Sequence, residues 1–287
     1  MSKVWLVTGS GSGLGRDIVE TALAAGDRVV ATARKTEQLE DLVATYGNAV
    51  RVASLDVTDE AAAKAAVRLA VDAFGRLDVL VNNAGYGLFA PFEQISDADF
   101  KGVMDTCFYG AVYTTRAAVP VMREQKSGWI LQVSSVGGRI AVPGNTPYHA
   151  AKWAVGGFSE ALAAEVAPFG VKVCTLEPGG IRTNWGRRAR QEDLELLPEY
   201  QASIGPVLEA LKRIAGHEES DPKKMAQVVL KLAGSDTLPR RLVLGIDAAN
   251  RLATWEAARA KEAEAWRWAT EATVSDGPIV HPDLELK

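Results

Sequence analysis

The chain has 287 residues, 47% hydrophobic and 24% charged, with a net charge of −4; this is the balance of a globular protein with a sizeable core, and it excludes a general attraction for nucleic acid or an anionic membrane surface. No apolar run approaches the roughly 20 residues that span a bilayer, and the apolar segment Val4-Trp5-Leu6-Val7 near the start is too short for a secretory signal. Two cysteines, Cys107 and Cys174, are too few for a disulfide framework and suit a reducing compartment, so a cytoplasmic protein is expected.

In chain order, short β-branched runs alternate with longer helical patterns. Strands are expected at 3–8, 28–33, 50–55, 79–82, 129–133, 172–176 and 241–244, several of them apolar throughout, as strands buried on both faces are. Helices are expected between them: 14–25, stopped by Gly26; 36–46, stopped by Gly47; 59–74, with Asp59 at its positive end and Gly75 as its stop; 100–122; and 148–166, broken at Pro168-Phe169-Gly170. The alternation predicts an α/β fold: a doubly wound, Rossmann-type, mostly parallel seven-stranded sheet with helices on both faces, spanning residues 1–247. Residues 180–216 follow the sixth strand with Trp185, Arg187, Arg188 and Arg190, and a substrate-covering insertion is expected there. Residues 248–273 predict a C-terminal helix carrying Trp255, Trp266 and Trp268, and 274–287 a tail.

The turn Thr8-Gly9-Ser10-Gly11-Ser12-Gly13-Leu14-Gly15 joins the first strand to the first helix. Glycines there let the backbone turn tightly and let a pyrophosphate approach the free N–H groups and positive dipole of the helix start. Its context predicts dinucleotide binding. At the end of the second strand Arg34 stands where NAD-selective sites place a carboxylate, so NADP is expected in preference to NAD.

The spacing of Gly9, Gly13 and Gly15 resembles the cofactor motif of the short-chain dehydrogenase/reductase family, in its main single-domain branch. Further segments agree with that resemblance: Leu55-Asp56-Val57, Asn82-Asn83-Ala84-Gly85, Tyr148-His149-Ala150-Ala151-Lys152 with Ser135 thirteen residues upstream, and Pro178-Gly179 followed by Ile181 and Thr183. The order and spacing of these motifs together are far more specific than any one of them.

The resemblance implies an oxidoreductase that interconverts a ketone or aldehyde and an alcohol by hydride transfer. Tyr148 is its acid/base, Ser135 holds the substrate oxygen, and Lys152 favours the phenolate and grips the nicotinamide ribose. Thr8, Gly9, Ser12, Gly13, Leu14, Gly15, Arg34, Asp56, Val57, Asn83, Ala84, Gly85, Pro178, Gly179, Ile181 and Thr183 complete the cofactor site with Tyr148 and Lys152. A homodimer or homotetramer is also implied, with contacts on the helices at 100–122 and 148–166. The sequence departs from the family at Cys107, where the family has an asparagine that helps hold a proton-relaying water; a thiol is a weak substitute for an amide. Two readings of Cys107 stay open, a weakened relay and a packing residue on an apolar helix face. The rival reading of the whole chain is a catalytically weakened nucleotide-binding sensor or scaffold that keeps the fold. His149, His217 and His281 have no partners at metal-ligand spacing, and no metal is expected.

Overall fold

The computed structural model describes residues 2–190 and 194–275. Seven strands form a single parallel sheet in the order β3-β2-β1-β4-β5-β6-β7. They are β1 Val4–Val7, β2 Arg28–Ala33, β3 Val50–Ser54, β4 Val79–Asn82, β5 Gly128–Val133, β6 Val171–Pro178 and β7 Arg241–Leu244. Every pairing is parallel, so among the described residues no antiparallel edge accompanies the sheet. The strand order reverses between β1 and β4, and in open α/β sheets the crevice beyond such a reversal is where ligands bind.

Alternation of side chains along β1 divides the core into two layers. Trp5 and Val7 pack on one face against α1 (Gly13–Ala24) and, further along the chain, α9 (Pro222–Leu232). Val4 and Leu6 pack on the other, against α3 (Glu60–Phe74), α5 (Gly110–Gln125) and α6 (Thr146–Val166). Helix α2 (Glu40–Tyr46) lies between β2 and β3 in the chain. The helix ends follow their sequence signals. Asp59 accepts from the N–H groups of Ala61 and Ala62 at the start of α3, and Gly75 closes it at φ 81°. Helix α9 falls in a stretch given no element from the sequence, although Asp221 caps it and Pro222 opens its first turn.

The single helix expected over 100–122 is two helices. Helix α4 (Asp97–Met104) runs into a wide turn, Asp105–Tyr109, in which Gly110 N–H bonds back five residues to Asp105 O, and α5 follows. The apolar spacing of Val103, Cys107 and Ala111 fits a continuous helix equally well, which is why periodicity does not reveal the extra residue in the turn. Such π-type turns concentrate at functional sites, and this one carries Cys107, buried at 2% exposure. A closed polar set fixes α5 to the sheet. Asn82 Nδ2 donates to Thr115 Oγ1 and Gln132 Oε1, both at 2.9 Å, while Thr114 Oγ1 donates to Asn82 Oδ1 at 2.6 Å.

After β6 come α7 (Trp185–Ala189) and α8 (Gly205–Ile214), and after β7 come α10 (Ile246–Ala265) and α11 (Arg267–Glu271). Among the described residues no helix is long and apolar enough to cross a membrane. The tail expected at 274–287 lies mostly outside the described residues.

Candidate active site

At the carboxyl ends of the strands a cavity of about 1550 Å³ opens. That exceeds the roughly 300–1,000 Å³ that encloses one drug-sized ligand, so two molecules can share it. The glycine turn forms one side. Gly9 and Gly13 sit at φ 68° and 59°, left-handed conformations that side chains disfavour. Thr8 and Asn83 lock this turn to the segment after β4. Thr8 Oγ1 accepts from the N–H groups of Asn83 and Ala84 at 2.9 and 3.0 Å, and Asn83 Nδ2 donates to Thr8 O and Gly9 O at 2.9 and 3.2 Å. Ser12, Leu14, Asp56, Val57, Gly85, Pro178, Gly179, Ile181 and Thr183 line the same cavity, whereas Gly15 packs inward against the Gly9 carbonyl. Arg34 also lines it, exposed at the end of β2. The Asp56 carboxylate is committed to Thr58, accepting from its N–H at 3.0 Å and its hydroxyl at 2.8 Å.

Ser135, Tyr148 and Lys152 meet opposite the glycine turn. Ser135 ends the strand β5 region and Tyr148 and Lys152 lie one turn apart on α6, so sheet and helix fix their separation. Ser135 Oγ accepts from Gly137 N–H at 3.0 Å and bonds the Tyr148 hydroxyl. Its neighbour Ser134 points elsewhere, donating to Lys152 O at 3.2 Å. Lys152 Nζ donates to Val133 O at 2.7 Å and stands 5.6 Å from the centroid of the Tyr148 ring. Burial pushes the Tyr148 phenol above its ordinary range, Cys107 adds to the rise, and the Ser135 bond only partly offsets it. Burial likewise holds the Lys152 ammonium below its usual range, opposed by Cys107. A protonated phenol is the form that donates to a carbonyl oxygen. Cys107 Sγ donates to Tyr86 O at 3.3 Å and packs with Val103, Tyr148 and Ala151.

His149 has a role that its spacing from other histidines did not suggest. Its Nε2 accepts from Val142 N–H at 3.1 Å, so Nδ1 carries the hydrogen and donates to Gly137 O at 2.8 Å. The ring thereby ties together the two ends of the wall Gly137–Val142. Burial holds its pKa below the usual imidazole range, Arg251 lowers it further, and the two backbone bonds oppose them. The unfolded chain therefore takes the proton first, and this contribution to stability is present above pH of about 6.5 and lost as pH falls below it. Between pH 7.5 and 5.5 the melting temperature of His149→Gln should fall less than that of the wild type; parallel declines would refute the assignment.

Trp185, from the insertion after β6, comes down on the site. Its ring lies 5.1 Å from that of Tyr148 and meets Phe89 edge-on at 6.4 Å. A side chain at Gly87 would collide with it, since a Cβ there would stand 2.6 Å from the indole. Phe89 N–H donates to Ala189 O at 2.9 Å, stitching the insertion to the segment after β4. Of Arg187, Arg188 and Arg190, Arg188 reaches the glycine turn, its Nη1 standing 3.4 Å from Ser12 Oγ. Sequence reasoning did not single out Glu218 or Arg251 as cavity residues. No motif marks them, because each arrives by tertiary packing from a different element.

Comparison with known proteins agrees with this geometry. Residues 3–194 match the family model of the short chain dehydrogenases. The chain is 49% identical over 249 residues to Oxidoreductase BOA17 of Botryotinia fuckeliana, an alignment covering 86% of this chain and 90% of that one. A short-chain dehydrogenase of Streptomyces avermitilis superposes with a TM-score of 0.88 at 39% identity, covering 96% of this chain and all of that one. ElxO, solved with NADP bound, superposes with a TM-score of 0.71 at 26% identity, covering 86% of this chain and 97% of its own. The chain belongs to the short-chain dehydrogenase/reductase family of oxidoreductases.

Proposed function

We propose that this protein reduces a ketone or aldehyde to an alcohol, or the reverse, using NADP(H) in preference to NAD(H). The observation that carries the reading is the convergence of Ser135, Tyr148 and Lys152 on the cavity that also contains the glycine turn. The residues there suit a dinucleotide. The left-handed glycines expose the N–H groups at the start of α1, and Ser12 makes no side-chain cap of its own. Thr8, Gly9, Ser12, Gly13, Leu14 and Gly15 would form the phosphate turn. Asp56, Val57, Asn83, Ala84 and Gly85 would border the adenosine half, and Pro178, Gly179, Ile181 and Thr183 the nicotinamide half. When bound, the nicotinamide supplies or accepts the hydride. Ser135 donates its hydroxyl hydrogen to the substrate oxygen, Tyr148 gives that oxygen its proton, and Lys152 orients the ribose beside Tyr148. The relative ElxO binding NADP supports the cofactor class.

The cofactor preference rests on Arg34, whose planar fork suits a 2′-phosphate, with the Asp56 carboxylate close enough to feel its charge. The test is consumption of NADPH and NADH across a panel of ketones and aldehydes. NADPH should be the more efficient, and Arg34→Ala should lower kcat/KM for NADPH by roughly 10- to 100-fold, the worth of a charge-assisted hydrogen bond. Equal efficiency with NADH, or no effect of the substitution, would overturn the preference. Cys107 favours a second reading, a nucleotide sensor with little turnover; cofactor binding without consumption across the panel would establish it.

A further inference from the structure

Helix α8 is amphipathic, yet none of its residues is buried. Val207, Ala210, Leu211 and Ile214 recur at the spacing of one helix face and line the cavity that holds Ser135 and Tyr148. Glu209, Lys212 and Arg213 are exposed and outside the lining, with Lys212 paired to Glu209 at 2.7 Å. The helix bridges the two rims of the cavity. Just before it, Ile204 is 4% exposed and stands 3.1 Å from the Cβ position of Gly144, beside the wall that His149 holds. Just after it, Glu218 Oε2 accepts from Gly216 N–H at 2.9 Å, and Glu218 O accepts from Arg182 at 3.2 Å. A bridge between Ile181 and Ser220 fixes that end to the segment after β6. An anchored helix that turns its apolar stripe toward an open cavity leaves that stripe for a ligand to cover, since such surface is costly against water.

We infer that the substrate carries an unbranched apolar arm, an alkyl chain that lies along Val207, Ala210, Leu211 and Ile214 while its carbonyl sits at Ser135 and Tyr148. The inference rests on the proposed carbonyl chemistry for the position of the head, and on the stripe for the arm. Ile140 and Val142 add apolar surface to the same cavity, and no charged residue of α8 enters the lining. The stripe runs for about 10 Å along the helix, which suits a medium-length chain. A carbonyl compound of the same reactivity with a short or charged arm would leave the stripe bare.

The probes are 2-alkanones from butanone to decan-2-one. With the wild-type protein and NADPH, kcat/KM should rise about fourfold for each added methylene until the stripe is covered, the value of burying one such group. Leu211→Ser and Val207→Ser should each flatten the series, while Lys212→Ser, on the outer face, keeps its slope. The arm is also measured apart from turnover, as calorimetric affinity of the same ketones for Tyr148→Phe saturated with NADPH. Affinity that rises with chain length there supports the groove even if no ketone is reduced, a result that would remove the proposed reaction alone. A flat affinity series overturns the groove, even if butanone is turned over well. A serine variant that no longer binds NADPH has lost its fold, and the other then decides.

Discussion

Tyr148→Phe should lower turnover by roughly 10²- to 10⁴-fold, the usual worth of a general acid, while the dissociation constant for NADPH changes little. The phenyl ring keeps what the side chain contributes to packing. Tyr148 is 9% exposed, its ring lies against Trp185, and Val103 and Ala151 share its cluster. Only the hydroxyl is lost, and with it the bond to Ser135. Ser135 remains able to donate a hydrogen bond but holds its proton too tightly to give it up, so it stabilises charge without replacing the acid. Because burial raises the Tyr148 phenol, the reduction direction finds the acid already protonated at neutral pH. Oxidation needs the phenolate and should gain as pH rises. Single-turnover kinetics with a ketone that the wild type reduces measures the effect directly. A variant that keeps most of its activity would move the acid to another group.

The fold was legible because its signals are local and repeat. The strands β2 and β4 have the bounds expected of them, 28–33 and 79–82, and α3 is framed by Asp59 and Gly75. The meeting of the candidate site residues was legible for a different reason, since Tyr148 and Lys152 are a helical turn apart and Ser135 stands at a strand end. What the sequence hides is how distant segments meet. Val103, Cys107 and Ala111 have the spacing of one straight helix, and nothing in that spacing shows the extra residue in the turn Asp105–Tyr109. The insertion follows β6 in the chain, but that Trp185 lands on Tyr148 depends on the join between Phe89 and Ala189, a hundred residues apart. His149 was weighed only as a metal ligand. Its partners are backbone groups of Gly137 and Val142, which carry no side-chain signature. The charge of Lys152 is visible in the sequence, whereas the depth of burial that raises the Tyr148 phenol is not.

Cys107→Asn should raise the rate of reduction, by about tenfold or more if the residue completes a proton relay of the ordinary worth. After each reduction Tyr148 must regain a proton, and the ammonium nearest it is Lys152, buried at 4% exposure and bonded to Val133 O. Lys152 keeps hydrogens beyond the one given to Val133, and they need a polar path outward. Cys107 borders that path, for a Cβ at Gly85 would touch both Cys107 Sγ at 3.2 Å and Lys152 Nζ at 3.5 Å. Burial pushes the thiol above its ordinary pKa, so it remains neutral, a single weak donor already turned to Tyr86 O. An asparagine amide could donate to that same carbonyl and present its own oxygen toward Lys152, or hold a water there. Both partners lie at hand, which limits the cost of burying an amide among Val103, Tyr148 and Ala151. Packing and relay are separated by Cys107→Val, which fills the space with no polar group. If relay is what limits turnover, the asparagine variant gains in kcat with an unchanged NADPH affinity and the valine variant does not. If all three proteins turn over alike, Cys107 serves the helix interface alone, and protons reach Tyr148 by a route that does not pass residue 107.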